Sequence, residues 1–189
     1  MPARSPRYPG RTLVLVVAVL LVPALALTPH AHAREARAAK LPAHGIFITG
    51  VKLAGVRLGY TQTQVTAALG KNYTLCTPAN SGNLCKEPVM LFEYTRGEPL
   101  GLAVRLHNGK VGAVFTLGAV PGWKTAEGLK IYDPVSNIYK LYPAATSYTK
   151  CVGFEALSMK KGGVTTSFYT ASGVVYGFAL TAATEQVCQ

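Results

Sequence analysis

The sequence predicts an α+β fold built from two tandem copies, each a short helix followed by a three-stranded antiparallel sheet. The segment GVRLGYTQTQVTAALG at residues 55–70 matches GLKIYDPVSNIYKLYP at residues 128–143 in its glycine, aliphatic and basic positions. Alternating apolar and polar runs joined by tight-turn sequences follow each segment, as in antiparallel hairpins. The chain of 189 residues is 49% apolar and 14% charged, which excludes a disordered chain and supports a folded core.

The amino-terminal segment has the pattern of a secretory signal peptide. Three arginines precede the apolar run at residues 13–27, and the sequence Ala-His-Ala ending at Ala33 is a small-x-small cleavage site. A retained anchor is the alternative, but fifteen apolar residues form a helix of about 22 Å, shorter than a bilayer core of about 30 Å. We predict cleavage near Ala33 and a secreted or periplasmic protein without a membrane span after processing.

The repeat sets the predicted domain boundaries. The signal peptide covers residues 1–33 and a flexible lead-in covers 34–45. The first α+β copy covers 46–117, a linker covers 118–127, and the second copy covers 128–189. Neither copy has a large core of its own, so we expect the two to pack together or to join edge strands.

Each copy begins with a helix whose ends are marked in the sequence. In the first copy, Thr61 and Gln64 have the spacing of a capping box, and Gly70 predicts the end of the helix. In the second copy, Asp133 before a proline predicts an N-cap, and the helix ends before Pro143. We therefore predict two short helices of similar length.

Three antiparallel strands are predicted after each helix. Asn-Gly at 108–109 and Ser-Gly at 172–173 mark the turn of one hairpin in each copy. The six strands lie near 89–95, 100–106, 111–117, 153–159, 164–170 and 174–181. The face of the first hairpin under the helix is predicted to carry Leu102, Val104, Leu106, Val111, Ala113 and Phe115.

The cysteines predict two disulfides, because export takes them into an oxidising compartment. Four cysteines allow three pairings. We favour Cys76 with Cys85, which closes a short loop rich in Asn, Ser and Gly, and Cys151 with Cys188. A zinc site is the weaker alternative, because neither pair has CxxC spacing and imidazole ligands are scarce after residue 33. We predict no metal and no cofactor.

The string LGYTQTQVTAALG within Gly55 to Gly70 resembles the helix signature of the β-lactamase inhibitor protein and BamE (SmpA/OmlA)-like superfamily, in a tandem repeat form. The resemblance covers about residues 46–181. It implies the unit of one helix followed by an antiparallel sheet, and the group includes outer-membrane assembly proteins and inhibitors of β-lactamases. BamE-type members are lipoproteins, and this chain has no lipid-attachment cysteine, so the resemblance implies a fold and not a particular target.

Catalytic chemistry is scarce in the predicted mature chain, which has a single Asp and two His. Asp133 is assigned to a helix cap, His107 precedes a tight turn where we expect it to be solvated, and His44 lies in the lead-in. Glu93 and Glu155 fall on the first strand of each copy and could form the acid–base pair of a hydrolase. No supporting residue accompanies them, so we predict that the protein is not an enzyme and has no catalytic residues.

The predicted ligand-binding residues are an arginine, two tyrosines and a tryptophan. With two-residue turns, Arg105 lies opposite Gly112 and Tyr169 opposite Tyr176, and these pairs share one sheet face. Arg and Tyr are enriched at binding hot spots, and the linker adds Trp123, which could instead fill the junction between the copies. Alternatively, the tyrosines pack in a second core layer.

These features predict a secreted, non-enzymatic binding module that binds a protein at the cell envelope or outside the cell. The alternatives are a cell-surface hydrolase and a basic protein that associates with anionic wall polymers. The formal charge is +11, which favours anionic partners, while export and the lack of a recognition motif argue against nucleic acid. Most of the positive charge of the second copy comes from Lys124, Lys130, Lys140, Lys150, Lys160 and Lys161.

Overall fold

The computed structural model describes residues 45–82, 84–92, 101–118 and 122–188. The predicted signal peptide and Glu93 lie outside these residues. The helices are α1 (Gln62–Leu69), α2 (Pro78–Ser81) and α3 (Ser136–Leu141). The strands are β1 (Ile46–Ile48), β2 (Lys52–Leu53), β3 (Thr74–Cys76), β4 (Val89–Phe92), β5 (Gly101–His107), β6 (Lys110–Leu117), β7 (Lys124–Thr125), β8 (Ser147–Lys150), β9 (Glu155–Lys161), β10 (Val164–Ala171) and β11 (Val174–Ala182).

The strands form one large and one small sheet. The large sheet is antiparallel, has eight strands and follows the order β3-β4-β5-β6-β11-β10-β9-β8. At its centre β6 pairs with β11, with Ala113 opposite Thr181 and Phe115 opposite Ala179. The small sheet has the order β2-β1-β7, and β1 runs parallel to β7.

The predicted α+β fold of two copies, each a helix followed by a three-stranded sheet, is therefore wrong: the described part of the chain is mostly β, with three short helices. The strands β6 and β11, edge strands of the two predicted sheets, pair with each other and so complete their backbone hydrogen bonds. The joining of edge strands was one of the two arrangements expected for the copies. Two strands that the sequence did not predict, β3 and β8, form the outer edges of the large sheet. Both are short, and β8 is too polar to show an alternating pattern.

The first helix has the predicted ends. The backbone N–H of Gln64 donates to Oγ1 of Thr61 at 3.3 Å, and the backbone N–H of Thr61 donates to Oε1 of Gln64 at 2.8 Å. Gly70 forms the C-cap. The helix predicted for the second copy is α3, which begins at Ser136. The predicted N-cap role of Asp133 is therefore wrong. The Oδ2 atom of Asp133 instead accepts the backbone N–H of Lys130 at 2.8 Å and closes the preceding turn.

The first predicted hairpin is present, but a β-bulge changes its register. Asn108 and Gly109 have φ angles of 49° and 74°, as a type I′ turn requires. Arg105 lies opposite Ala113 and Leu106 lies opposite Val111. Gly112, between Val111 and Ala113, is therefore the extra residue of the bulge and has no pairing partner on β5. The predicted pairing of Arg105 with Gly112 is therefore wrong.

The same irregularity occurs in the β10–β11 hairpin. Tyr169 lies opposite Gly177 and Thr170 lies opposite Val175, which leaves Tyr176 as the extra residue. The predicted pairing of Tyr169 with Tyr176 is wrong for this reason. Side chains along a strand point alternately to the two faces of the sheet, so an extra residue moves every side chain beyond it to the opposite face. Ala113 and Phe115 therefore lie on the face away from the helices, contrary to the prediction, whereas Leu102, Val104, Leu106 and Val111 belong to the main core.

The main core lies between one face of the large sheet and a layer formed by α1, α3 and the small sheet. Phe47 of β1 packs against Phe178 and Phe168, with ring centroids 5.5 Å and 6.4 Å apart. Val65 of α1 and Ile138 of α3 are fully buried in the same cluster. The small sheet, α1 and α3 are thus held in position by one shared hydrophobic core.

Trp123, a predicted ligand-binding residue, is buried in this core, in keeping with the alternative that it fills space inside the chain. The linker forms β7 beside β1, and this pairing places the indole over Gly45. A Cβ atom on Gly45 would lie 2.5 Å from Cδ2 of Trp123. Trp123 therefore has a packing role.

We expect Gly45→Ala to lower the free energy of unfolding by about 1–3 kcal/mol, because the added methyl overpacks the indole. Denaturant unfolding measures this loss. The variant Trp123→Leu supplies the control background, where the smaller side chain makes room and the extra cost of Gly45→Ala should shrink. An equal cost in both backgrounds would contradict the proposed clash.

Candidate functional site

Both predicted disulfides, Cys76–Cys85 and Cys151–Cys188, are confirmed. The first closes the loop that contains α2. The second joins the segment after β8 to the carboxyl-terminal end of the described chain. Among the described residues, no helix has both the length and the hydropathy needed to cross a membrane.

The second face of the large sheet, away from the helices, carries three of the predicted binding residues. Arg105 contacts a carboxylate there, and Tyr169 and Tyr176 belong to its apolar cluster. Tyr169 is fully buried and Tyr176 half-buried. The expectation that these residues are exposed together is therefore wrong for Tyr169. The alternative, a second core layer, describes this face.

The C-terminal strap, defined as residues 183–188, covers part of this second face. The hydroxyl of Tyr169 donates to the backbone carbonyl of Val187 at 2.6 Å, and burial raises the pKa of that hydroxyl. Arg105 pairs with Glu185, with 3.5 Å between Nη1 and Oε2. Together with the second disulfide, these contacts fix the strap on the sheet.

Small side chains leave room for this second layer. The aromatic ring of Phe154 packs edge-on against Tyr169, with centroids 5.0 Å apart, and Val187 of the strap packs against the same cluster. The alanines of the cluster are Ala103, Ala113, Ala156 and Ala179. The predicted binding face is therefore used for packing within the chain.

The hydrolase alternative requires a carboxylate in a pocket. Glu155 is exposed at the start of β9, and its Oε1 accepts the hydroxyl of Tyr148 at 2.8 Å. This hydrogen bond raises the pKa of Tyr148. Glu93, the other candidate, lies outside the described residues. The position of Glu155 thus gives the hydrolase alternative no support.

A cluster of ionisable side chains that the sequence analysis missed lies at one edge of the strap. His107 Nδ1 lies 2.5 Å from Oε1 of Glu87, and this hydrogen bond raises the pKa of His107. Glu185 of the strap is the third member, and the potential ligand atoms of the three residues lie within 4.8 Å of one another. His107 is exposed, as expected, but it is paired with a carboxylate.

Exposed aromatic side chains are found instead on and just before α3. The α3 surface, as we call it, consists of Lys130, Tyr132, Tyr139, Lys140 and Leu141. Tyr132 and Tyr139 are 55% and 53% exposed. The buried Ile138 fixes the orientation of α3 on the core, which leaves Tyr139 and its neighbours on the outside.

Tyr132 has a strained backbone. Its φ angle is 71°, in the left-handed region that disfavours side chains with a Cβ. Two hydrogen bonds to Val175 of β11 hold it there: the N–H of Tyr132 donates to the carbonyl of Val175 at 2.9 Å, and the carbonyl of Asp133 accepts the N–H of Val175 at 2.8 Å.

Gly59, before α1, has the same conformation and the same pair of hydrogen bonds. Its φ angle is 79°, its N–H donates to Val111 at 2.8 Å, and the carbonyl of Tyr60 accepts the N–H of Val111 at 2.7 Å. Glycine adopts this conformation without strain. Gly59 and Tyr132 thus occupy corresponding positions in the two copies, and the first copy forms this turn without a side chain there.

Comparison with known proteins finds no matching family model and no matching curated protein. One similar solved structure is a DUF4309 family protein, YjgB, from Bacillus subtilis, with 14% identity and a TM-score of 0.43 over 65% of this chain and 78% of that one. Another is an extracellular protein containing an SCP domain from Bacillus anthracis, with 11% identity and a TM-score of 0.39 over 66% of this chain. The match spans 44% of that second protein.

These similarities are too weak to carry an argument about function. Neither structure is described as a β-lactamase inhibitor protein or a BamE-like protein. The family resemblance of residues 55–70 therefore stays a prediction.

The strap contacts give a testable result. We expect Tyr169→Phe to lower the free energy of unfolding by about 1–3 kcal/mol, because the carbonyl of Val187 loses its buried donor. The matched control is Tyr148→Phe, which removes an exposed hydroxyl and should change stability by less than about 0.5 kcal/mol. Denaturant unfolding of the oxidised proteins measures both values. Equal effects of the two variants would contradict a structural role for the Tyr169 hydroxyl.

Proposed function

We propose that this chain is a secreted, non-enzymatic binding module that binds a protein at the cell envelope or outside the cell through the α3 surface. The partner segment that it contacts is acidic. The observation that carries the proposal is Tyr132, a large exposed side chain held in a strained conformation that glycine adopts freely.

The backbone strain at Tyr132 has a cost, and the side chain that causes it is not buried in the core. A left-handed backbone costs a residue other than glycine about 1–2 kcal/mol. The side chain of Tyr132 remains 55% exposed, so more than half of its surface is available to a partner. Strained residues of this kind concentrate at binding and catalytic sites. A role for the tyrosine ring in contact with a partner accounts for the strain.

The charges around Tyr132 favour an acidic partner. Lys130 and Lys140 are exposed on the α3 surface. The neighbouring carboxylates are engaged within the chain: Asp133 accepts the backbone N–H of Lys130, and Glu127 accepts the hydroxyl of Tyr142. Tyrosine supplies contact area with little entropy loss, and lysines around it attract negative charge.

The compartment is supported separately. The amino-terminal sequence has the pattern of a signal peptide, and the two disulfides indicate an oxidising environment. A protein partner at the cell envelope or outside the cell shares that environment.

Association with anionic wall polymers is the second candidate, and one observation favours it. Six lysines after the linker begins are exposed: Lys124, Lys130, Lys140, Lys150, Lys160 and Lys161. Binding through dispersed lysines is screened by salt, whereas an interface centred on desolvated aromatic rings is much less sensitive. Salt dependence therefore distinguishes the two candidates.

The exported, oxidised chain is immobilised and exposed to envelope and secreted fractions, then washed at low and high salt. We expect the wild type and Tyr148→Ala, which removes an exposed tyrosine of the edge strand β8, to retain one protein through high salt. We expect Tyr132→Gly to lose at least 90% of it. Calorimetry with the purified partner then confirms direct binding through an acidic segment.

The same variant has a second expected effect. We expect Tyr132→Gly to keep the free energy of unfolding within about 1 kcal/mol of the wild type, because relief of the left-handed strain offsets the lost contacts of the partly buried ring and the entropy that glycine gains in the unfolded chain. Lost binding in a protein about as stable as the wild type excludes misfolding as the cause. Retention that is equal in all three proteins, or that disappears from all three at high salt, would contradict the proposed interface.

A further inference from the structure

Three side chains from separate parts of the chain converge at one end of the second face. Glu87 precedes β4, His107 ends β5 and Glu185 belongs to the C-terminal strap. One carboxylate oxygen from each glutamate and one ring nitrogen of the histidine lie within 4.8 Å of one another. This separation is compatible with three ligands of one cation after small side-chain rotations, since ligand distances are about 2.0–2.2 Å.

The backbone beneath the cluster is shaped to admit the carboxylate of Glu185. A Cβ atom on Gly112, the extra residue of the first β-bulge, would lie 2.6 Å from Oε1 of Glu185 and 3.3 Å from the Cβ of His107. Glycine at the bulge thus leaves the space that Glu185 occupies beside His107. A bulge next to a functional group is a frequent way to direct a side chain.

Arg105 orients the carboxylate of Glu185. The side chain of Glu185 is 9% exposed, and Arg105 contacts its Oε2 at 3.5 Å. The other carboxylate oxygen, Oε1, is the one that lies beside Gly112. Arg105 is therefore a positioning residue, because its contact with Oε2 directs Oε1 toward the bulge and the cluster.

We propose that Glu87, His107 and Glu185 bind a first-row divalent transition-metal cation of the Zn²⁺ type. Two carboxylate oxygens and one imidazole nitrogen are the protein ligands, and water completes the coordination. In this site the cation replaces the hydrogen bond between Nδ1 of His107 and Oε1 of Glu87, and a carboxylate oxygen of Glu185 is the third protein ligand. Ca²⁺ is a poorer fit because it prefers oxygen ligands alone.

Bound metal would fasten the C-terminal strap to the strands beneath it. Glu185 lies on the strap, whereas Glu87 and His107 flank β4 and β5. The cation would therefore act as a cross-link beside the Cys151–Cys188 disulfide, on a different part of the molecule from the α3 surface. This inference does not depend on the proposed function.

The test is calorimetric titration of the exported, chelator-treated protein with ZnCl₂, with CaCl₂ as the comparison. We expect saturable binding of one Zn²⁺ per chain, a higher Tm with Zn²⁺, and much weaker binding of Ca²⁺. His107→Ala should weaken the Zn²⁺ affinity at least tenfold. Its exposed ion pair contributes little to folding, so the metal-free variant should keep the wild-type Tm within a few degrees.

A second variant tests the geometry without removing a ligand. Gly112→Ala places a methyl group against Oε1 of Glu185, so it should also weaken Zn²⁺ binding, while Glu155→Gln, which changes an exposed carboxylate elsewhere, should not. The absence of saturable Zn²⁺ binding by the wild type would overturn the proposal. So would equal Zn²⁺ affinities of the wild type, His107→Ala and Gly112→Ala.

Discussion

The pairing of β6 with β11 is the constraint on which the rest of the structure depends. It joins two groups of four strands into one continuous sheet, with Ala113 opposite Thr181 and Phe115 opposite Ala179. A three-stranded sheet with one short helix buries too little apolar surface for independent stability. The joined sheet instead offers one broad face to α1, α3 and the small sheet, where Phe47 packs against Phe168 of β10 and Phe178 of β11.

The second face is closed by different means. Its alanines keep the layer thin, and the C-terminal strap lies over it, held by the Cys151–Cys188 disulfide and by Tyr169 and Arg105. Surface available for a partner is therefore found away from the sheet, around α3. The strained Tyr132 lies where β11 holds the chain before that helix, so the same strand that joins the halves also presents the proposed contact.

Local features were predictable from the sequence in detail, whereas non-local ones were predictable only in outline. The capping box at Thr61, the hairpin turns and both disulfides depend on residues close in sequence or on cysteine identity. The joining of edge strands was expected, but the choice of β6 and β11 depends on edges that become adjacent only in the fold. Each bulge shifts the register by one residue; Gly112 is a sequence signal for the first bulge, whereas Tyr176 gives none for the second. Sequence reasoning missed Tyr132 as a site residue, although alignment of residues 55–70 with 128–143 pairs Tyr132 with Gly59. That tyrosine-for-glycine exchange was the available signal.

Photo-cross-linking in the producing cells tests the proposed contact most directly. A benzophenone side chain replaces Tyr132 in one protein and Tyr148, an equally exposed tyrosine on β8, in another. The account predicts that irradiation joins the first protein to one discrete protein partner with an acidic segment, and that the second gives no such product. No adduct from position 132, or the same adducts from both positions, would contradict it.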